Sequence, residues 1–267
     1  MAGEVEKVIL FLNKLFKEKS ILYGTFNSHR AALALILPGD LGDNLLLKRY
    51  FRGLSRLRPP KRKYHFIWNP DKVIDLLSKY YPNEKLGLDD LSMKLVTLLA
   101  LATGHRMQTL SLIKVENVVI TEDGIKILIF DSIKTTKHNT YQPCLNIPFF
   151  EAKMEVCVAS VLYSYVEGTV EIRGDVEHLI LKSRAPYRRA NPQTIIRWIK
   201  KCLNLAGINP SLFTAYSTRH ASTSAAFNRG VSLDIIRKTA GWTKNSMTFA
   251  KFYNLPVDEF ERSQRLF

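Results

Sequence analysis

The sequence predicts a mainly α-helical chain carrying one small antiparallel β-sheet. Three observations point there. Apolar residues recur at helical spacing through most of the chain. Asp123-Gly124 sits between two β-branched runs, the short-range signature of a hairpin. Pro59-Pro60, followed by the basic run Lys61-Arg62-Lys63, interrupts the helical pattern and divides a small helical unit, residues 1–62, from a larger one, residues 66–267.

Taken in order, residues 4–18 place Val8, Phe11, Leu12 and Leu15 on one helical face. Two further helices are expected over 28–37 and 44–57, separated by the breaker cluster that starts at Pro38. The larger unit opens with a helix from Pro70, a residue suited to the first helical position. Asp89 or Asp90 can cap the apolar helix that runs to Ala102, and Gly104 stops it. Strands are expected over 118–120 and 125–130, with a third near 144–147. Beyond about residue 152 the pattern turns helical again, with helices over 152–167, 192–205 (Asn191 as cap, Pro192 first), 214–229, 232–239, 246–253 and 257–266.

At 267 residues and 46% hydrophobic content, the chain has enough apolar material for a globular core, which excludes disorder throughout. No apolar run approaches the roughly 20 residues that span a bilayer; the longest, 95–102, contains Thr97. The acidic, then amphipathic start does not read as a secretory signal. Cys144, Cys157 and Cys202 lie far apart and form no Cys-x-x-Cys, so a reducing, intracellular setting is expected rather than a disulfide or zinc scaffold.

Charge is more informative. There are 39 Lys+Arg against 24 Asp+Glu, a net charge of +15. Residues 44–70 hold no acid but carry Lys48, Arg49, Arg52, Arg56, Arg58, Lys61, Arg62 and Lys63. Residues 178–233 are also acid-free and carry Arg188, Arg189, Arg197, Arg219 and five other cations. Like charges repel, so two long one-sign segments in a folded chain point to a polyanion lying against them, nucleic acid first. Arg56, Arg58, Lys61, Arg62, Lys63, Lys137, Arg188 and Arg189 are the expected DNA contacts.

No His pair stands at i, i+4, no carboxylate cluster falls in the basic stretches, and no Gly-x-x-x-x-Gly-Lys-Ser/Thr loop is present. A two-metal nuclease or a nucleotide-driven motor is therefore disfavoured. What remains is a phosphate site of Arg, Lys and hydroxyl groups, supplied by Thr103-Gly-His-Arg106, by Tyr216-Ser-Thr-Arg219-His220, and by Gly241-Trp242 followed by Tyr253. Tyr216 and Arg219, three residues apart, share one helix face.

These segments resemble the tyrosine recombinase (phage integrase) family. Its pattern is an Arg after a helix and Gly turn, a Lys on the following hairpin, His-x-x-Arg-His, Gly-His or Gly-Trp, and a Tyr some ten residues on. The pieces stand here in that order, with Tyr216 in place of the first His. The stretch from Leu91 to Arg106 and the run Lys251-Phe-Tyr-Asn-Leu-Pro256 are similar to recombinases of eukaryotic Crypton and DIRS-like mobile elements. Asn27 to Ile36, with Phe51-Arg-Gly-Leu54, resembles the later part of a helical, SAM-like core-binding domain, here expected to be short and to lack its first helix or two.

The resemblance implies a tyrosine recombinase catalytic fold behind a DNA-binding core-binding domain, the two forming a C-shaped clamp on duplex DNA. It implies roles as well. Arg106 and Arg219 would hold the scissile phosphate from two sides. Lys134, with Lys137 as its rival, would protonate the departing 5′ oxygen. Tyr216 would hydrogen-bond the phosphate, a phenol being a poor base at neutral pH. Trp242 would pack on the nucleophile and offer its indole N–H, His220 would buttress the site, and Tyr253 would attack phosphorus. Phe249 and Phe252 are expected to face the core.

The ester link conserves bond energy, so neither ATP, metal nor another cofactor is implied. Protomers would pair into a tetramer on paired sites, with 257–266 as a docking helix, in the nucleus. The family commonly has an acid three residues after the first Arg; Thr109 stands there. Two other readings are a catalytically inactive, mobile-element-derived DNA-binding protein and a type IB topoisomerase-like nickase.

Overall fold

The computed structural model describes residues 2–38, 40–59, 63–133, 136, 142–243, 247 and 249–257. The chain divides into two units, Met1–Lys63 and Tyr64–Phe267.

The first unit is three helices: α1 (Ala2–Glu18), α2 (Tyr23–Ile36) and α3 (Leu45–Leu57). Asn44 caps α3, its side chain accepting from Leu46 N and Leu47 N. Leu47, Phe51 and Leu54 then recur on one face and meet Val8, Leu12 and Phe26 in a small core. Lys48, Arg49, Arg52 and Arg56 occupy the exposed face of α3. Arg58, expected at the DNA, is instead a tie within this unit. It donates to Lys19 O (2.8 Å), Ile21 O (3.1 Å) and Phe16 O (2.6 Å), and its guanidinium carbon lies 4.0 Å from the centre of the Phe16 ring. Those carbonyls are left over at and after the end of α1, where no helical donor reaches them. The helix α2 begins five residues before the expected start at residue 28.

The second unit is built around α5 (Leu88–Thr103), whose residues from Leu91 to Ala100 are all buried. A helix covered on all sides must be packed on all sides; α5 contacts α7 (Val158–Glu167), α9 (Pro192–Leu205) and α10 (Ser217–Asn228). Two of its buried hydroxyls are satisfied locally, Thr97 and Thr103 donating to Met93 O and Leu99 O. The cap is Gly87, not an Asp. Asp89 instead accepts from Ser183, from the Trp198 indole and from Lys201, joining the start of α5 to α9 and the loop before it.

The sheet has order β1 (Val118–Thr121), β2 (Gly124–Leu128), β3 (Cys144–Pro148), all antiparallel, with Ile120 opposite Ile125 and Ile127 opposite Leu145. The helix expected over 152–167 is shorter. Residues Glu151–Val156 form a 3-10 turn, and the Cys157 sulfur accepts from Phe150 N and Ser160 N, so α7 starts at Val158. The remaining helices are α4 (Pro70–Ser78), α6 (Met107–Ser111), α8 (Val170–Arg173) and α11 (Leu233–Thr239). No helix among the described residues is long and apolar enough to cross a membrane.

Of the expected closing helix over 257–266, only Val257 lies within the described residues, in a parallel bridge with Ile67. The expected helix over 246–253 is, where described, a single π turn, Phe249–Tyr253.

Candidate active site

The site is assembled by turns at helix ends. At the end of α5, Gly104 adopts φ 60° and donates to Ala100 O, the left-handed stop that most side chains avoid. The chain reverses and Arg106 starts α6, half-buried. At the other end of the molecule's sequence, α11 finishes at Thr239 and Gly241 takes φ 65°. A Cβ on Gly241 would stand 3.1 Å from His105 Cε1, so the glycine serves both the turn and the packing of that imidazole. Trp242 follows, its N–H donating to Arg237 O at 2.8 Å.

Between these turns lies α10. Arg219 is only 4% exposed and donates from Nη1 to Gly104 O at 2.6 Å, which binds the Arg106 turn to α10. Its guanidinium carbon is 4.3 Å from the Trp242 ring centre and 5.7 Å from that of Tyr253. Tyr253 is stacked on His220, ring centres 4.0 Å apart and 13° from parallel, and meets Trp242 at 4.8 Å and 63°. Ser224, one turn along α10 from His220, donates to Tyr253 O and accepts from Leu255 N at 3.3 Å, so the backbone at Tyr253 is held as well.

Five of the expected residues thus converge: Arg106, Arg219, His220, Trp242 and Tyr253. Tyr216 differs. It lies on the turn just before α10, is 50% exposed, and forms no hydrogen bond or ring contact with another described residue. Thr109 is buried on α6. Phe249 faces the core as expected, whereas Phe252 is 43% exposed, because the π turn rotates successive side chains away from a helical face. Lys134 and Lys137, and in the basic linker Lys61 and Arg62, lie outside the described residues. Lys63 and Arg56 are exposed.

Arg189 spends Nε and Nη2 on Ser111 at the end of α6, while Arg188 is exposed. With Lys182, Arg184 and Arg197, Arg188 lines a cavity of about 590 Å³ beside Asp89 and Trp198.

Two cations, Arg106 and the buried Arg219, stand close together here. Among the described residues neither Arg106 nor Arg219 forms an ion pair, and Arg219 Nε and Nη2 and Trp242 Nε1 are buried without a hydrogen bond of ordinary geometry. Burial, and secondly the neighbouring Arg106 charge, push the Arg219 guanidinium down to about 10, with the Tyr253 hydroxyl acting the other way. His105, buried behind the two guanidinium groups, is pushed down to about 4 by burial and then by Arg219 and Arg106. It is neutral at physiological pH. Among the described residues no group of three His, Cys, Asp or Glu side chains is placed to hold a metal ion.

Sequence reading missed the second ring of contacts: His105, Tyr64, Trp68 and Ser224. Trp68 Nε1 donates to Ser217 Oγ at 2.8 Å, and Tyr64 Oη lies 3.1 Å from Thr214 Oγ1. The one available signal was aromatic content, Tyr64 and Trp68 standing two residues either side of Phe66 in a basic segment.

Residues 71–258 match the phage integrase family. The fold is similar to the crystal structure of XerA recombinase, with a TM-score of 0.54 and 19% identity over 99% of this chain and 90% of that one. It is similar to the Tn1549 transposon integrase in complex with transposon right end DNA, with a TM-score of 0.58 and 16% identity over 98% and 83%. It is similar also to a lambda integrase dimer bound to a COC′ core site, with a TM-score of 0.53 and 15% identity over 97% and 81%. No curated protein sequence matches the chain significantly. The chain therefore belongs to the phage integrase family, the tyrosine recombinases, and its larger unit has the catalytic fold of that family.

Proposed function

We propose that the protein is a site-specific DNA recombinase that cuts and rejoins duplex DNA through a 3′-phosphotyrosyl intermediate. One observation carries this reading. Three buried N–H donors, Arg219 Nε and Nη2 and Trp242 Nε1, make no hydrogen bond of ordinary geometry with a described residue, and their side chains lie beside the Tyr253 ring. Unsatisfied buried donors on a desolvated cation cost free energy unless an anion takes them up. A phosphodiester with two non-bridging oxygens suits a guanidinium fork and an indole N–H.

In this reading Arg106 and Arg219 hold the scissile phosphate and share the charge that develops on it. The Tyr253 oxygen attacks phosphorus and gives up its phenolic proton to solvent, a phosphorus–tyrosine ester forms, and the bond to the 5′ oxygen breaks. Lys134, or Lys137, supplies the proton that the 5′ oxygen takes up. The reverse attack by a 5′ hydroxyl restores the DNA. The energy of the broken bond is kept in the ester, so the rejoining step draws on no ATP and no metal. His220 lies flat on Tyr253 and therefore does not accept its phenolic proton in this geometry; it packs the nucleophile.

A second reading has a specific observation behind it. Tyr216, in the place of the family's first His, is half exposed, and Thr109 replaces an acid. Both favour a DNA-binding protein without turnover. Covalent trapping on nicked suicide duplexes taken from the DNA flanking the gene separates the two. Wild type is expected to give an SDS-resistant protein–DNA band and Tyr253→Phe none. Binding by both proteins with no adduct from either, on duplexes that contain the bound site, would favour the second reading.

A further inference from the structure

The imidazole stacked on the Tyr253 ring, His220, is met from its edge by Tyr64, a residue from the start of the larger unit and far from both in sequence. Tyr64 is buried. Its hydroxyl lies 3.1 Å from Thr214 Oγ1 and accepts from Thr214 N at 3.4 Å, immediately before the α10 segment that carries Arg219 and His220. Its ring meets His220 edge-on, with centres 5.1 Å apart and planes at 79°, and is backed by Phe213 at 5.5 Å. The opposite face of the contact chain is the parallel His220–Tyr253 stack. Trp242 closes the other side of Tyr253.

The neighbours of Tyr64 brace the same parts. Trp68 donates to Ser217 on α10, and Ile67 donates to Pro256 O at 2.9 Å and bridges Val257, just beyond Tyr253. The segment from Tyr64 to Trp68 therefore touches both the helix that supplies Arg219 and the stretch that follows the nucleophile.

We infer that Tyr64 is a positioning residue for cleavage: its ring fixes the His220 imidazole, which in turn fixes the direction of the Tyr253 phenol. The inference rests on the reading of Tyr253 as the nucleophile. A phenol free to rotate about two side-chain bonds spends little time aligned with a phosphorus atom, and near-attack alignment is where rate is lost when a support is removed. Binding of DNA, which depends on cations elsewhere, is left unchanged. The ring, not the hydroxyl, does the positioning, so a phenylalanine suffices.

Full-length Tyr64→Met and Tyr64→Phe proteins test it, each assayed below its melting temperature. With protein saturating over a suicide duplex, Tyr64→Met is expected to form adduct at least about tenfold more slowly than wild type, with the protein concentration for half-maximal gel shift unchanged. Tyr64→Phe is expected to keep the wild-type rate. A Met variant as fast as wild type overturns the inference, as does a Phe variant as slow as Met, which would assign the role to the hydroxyl and Thr214.

A second readout needs no catalysis. The His220 ring protons, identified by their loss in His220→Gln, are expected upfield from the ring current of Tyr253, to stay there in Tyr64→Phe, and to move back in Tyr64→Met. Unmoved signals in Tyr64→Met overturn the inference. If wild type forms no adduct, the nucleophile reading fails, and the His220 signals still decide whether Tyr64 governs the stack.

Discussion

At the scale of single residues, Arg219 is the buried cation at the centre of the candidate site. It spends one nitrogen on Gly104 O and keeps two for a ligand, in a place where burial and Arg106 already lower its proton affinity. Even at about 10 its pKa leaves the guanidinium charged at neutral pH, so the cost of burying it is fully present in the free protein. Arg219→Lys keeps the charge but not the planar fork. It is expected to lower the rate of adduct formation by about 10²-fold or more while the gel-shift affinity changes only severalfold. Equal losses in rate and binding would mean that Arg219 is a general DNA contact rather than a phosphate clamp. Arg106, Arg219, Trp242 and Tyr253 were legible because their types and separations form one ordered pattern. Arg58 was not. A guanidinium that folds back onto Phe16 and three carbonyls looks, in a basic sequence run, the same as one that faces DNA.

At the scale of elements, the central helix α5 has an internal charge. Lys94 is fully buried, donates to Tyr80 O and to Asn83 Oδ1 at 2.8 Å, and is pushed down to about 8 by burial, against the weaker pull of Glu155 and Glu84. Below about pH 8 both folded and unfolded chains carry this proton, and the burial cost is felt in full. As pH rises from there toward the ordinary lysine value, the folded chain loses the proton first, so stability rises. The gain is of order 3 kcal/mol across that interval. Urea midpoints of wild type minus Lys94→Met are therefore expected to climb between pH 8 and pH 10, and a flat difference would show that Lys94 stays charged in the fold. The pattern of apolar residues marked α5 as a buried helix. It could not show that Lys94 points inward among them, because that depends on the Tyr80–Asn83 turn lying over it.

For the whole molecule, the excess of 39 basic over 24 acidic residues is spread over both units. In the first it lies along the exposed face of α3; in the second it gathers around the cavity lined by Lys182, Arg184, Arg188 and Arg197. If these cations neutralise phosphates, the logarithm of DNA affinity falls linearly with the logarithm of salt concentration, with a slope near −0.9 per phosphate contacted. The double variant Arg184→Ala/Arg188→Ala is expected to make that slope shallower by about 2 and to weaken binding on all sequences alike. A loss confined to one sequence would instead make these residues base readers. Assembly of two pairs of protomers on paired sites, as we propose for the full reaction, would be seen as a synaptic complex holding two duplexes.

Read alone, the sequence determined the mainly helical class, the small sheet, the basic character of the chain and the order of Arg106, Arg219, Trp242 and Tyr253 along it. These follow from local rules: helical and strand periodicity, a short polar turn between two β-branched runs, glycine at a left-handed stop, and charge that cannot be buried cheaply. Even there, Asp89 was read as a cap and proved to be a junction, and the stretch 152–167 was broken by a sulfur cap at Cys157. Only the tertiary structure decided which cations are spent and which are unspent, that Tyr216 stands apart, and that Tyr64, His220 and Tyr253 form one stack. Those facts depend on side chains about 30 to 190 positions apart in the chain. Their meeting is set by how α5, α10 and the segment before α4 pack together, and no local periodicity encodes that.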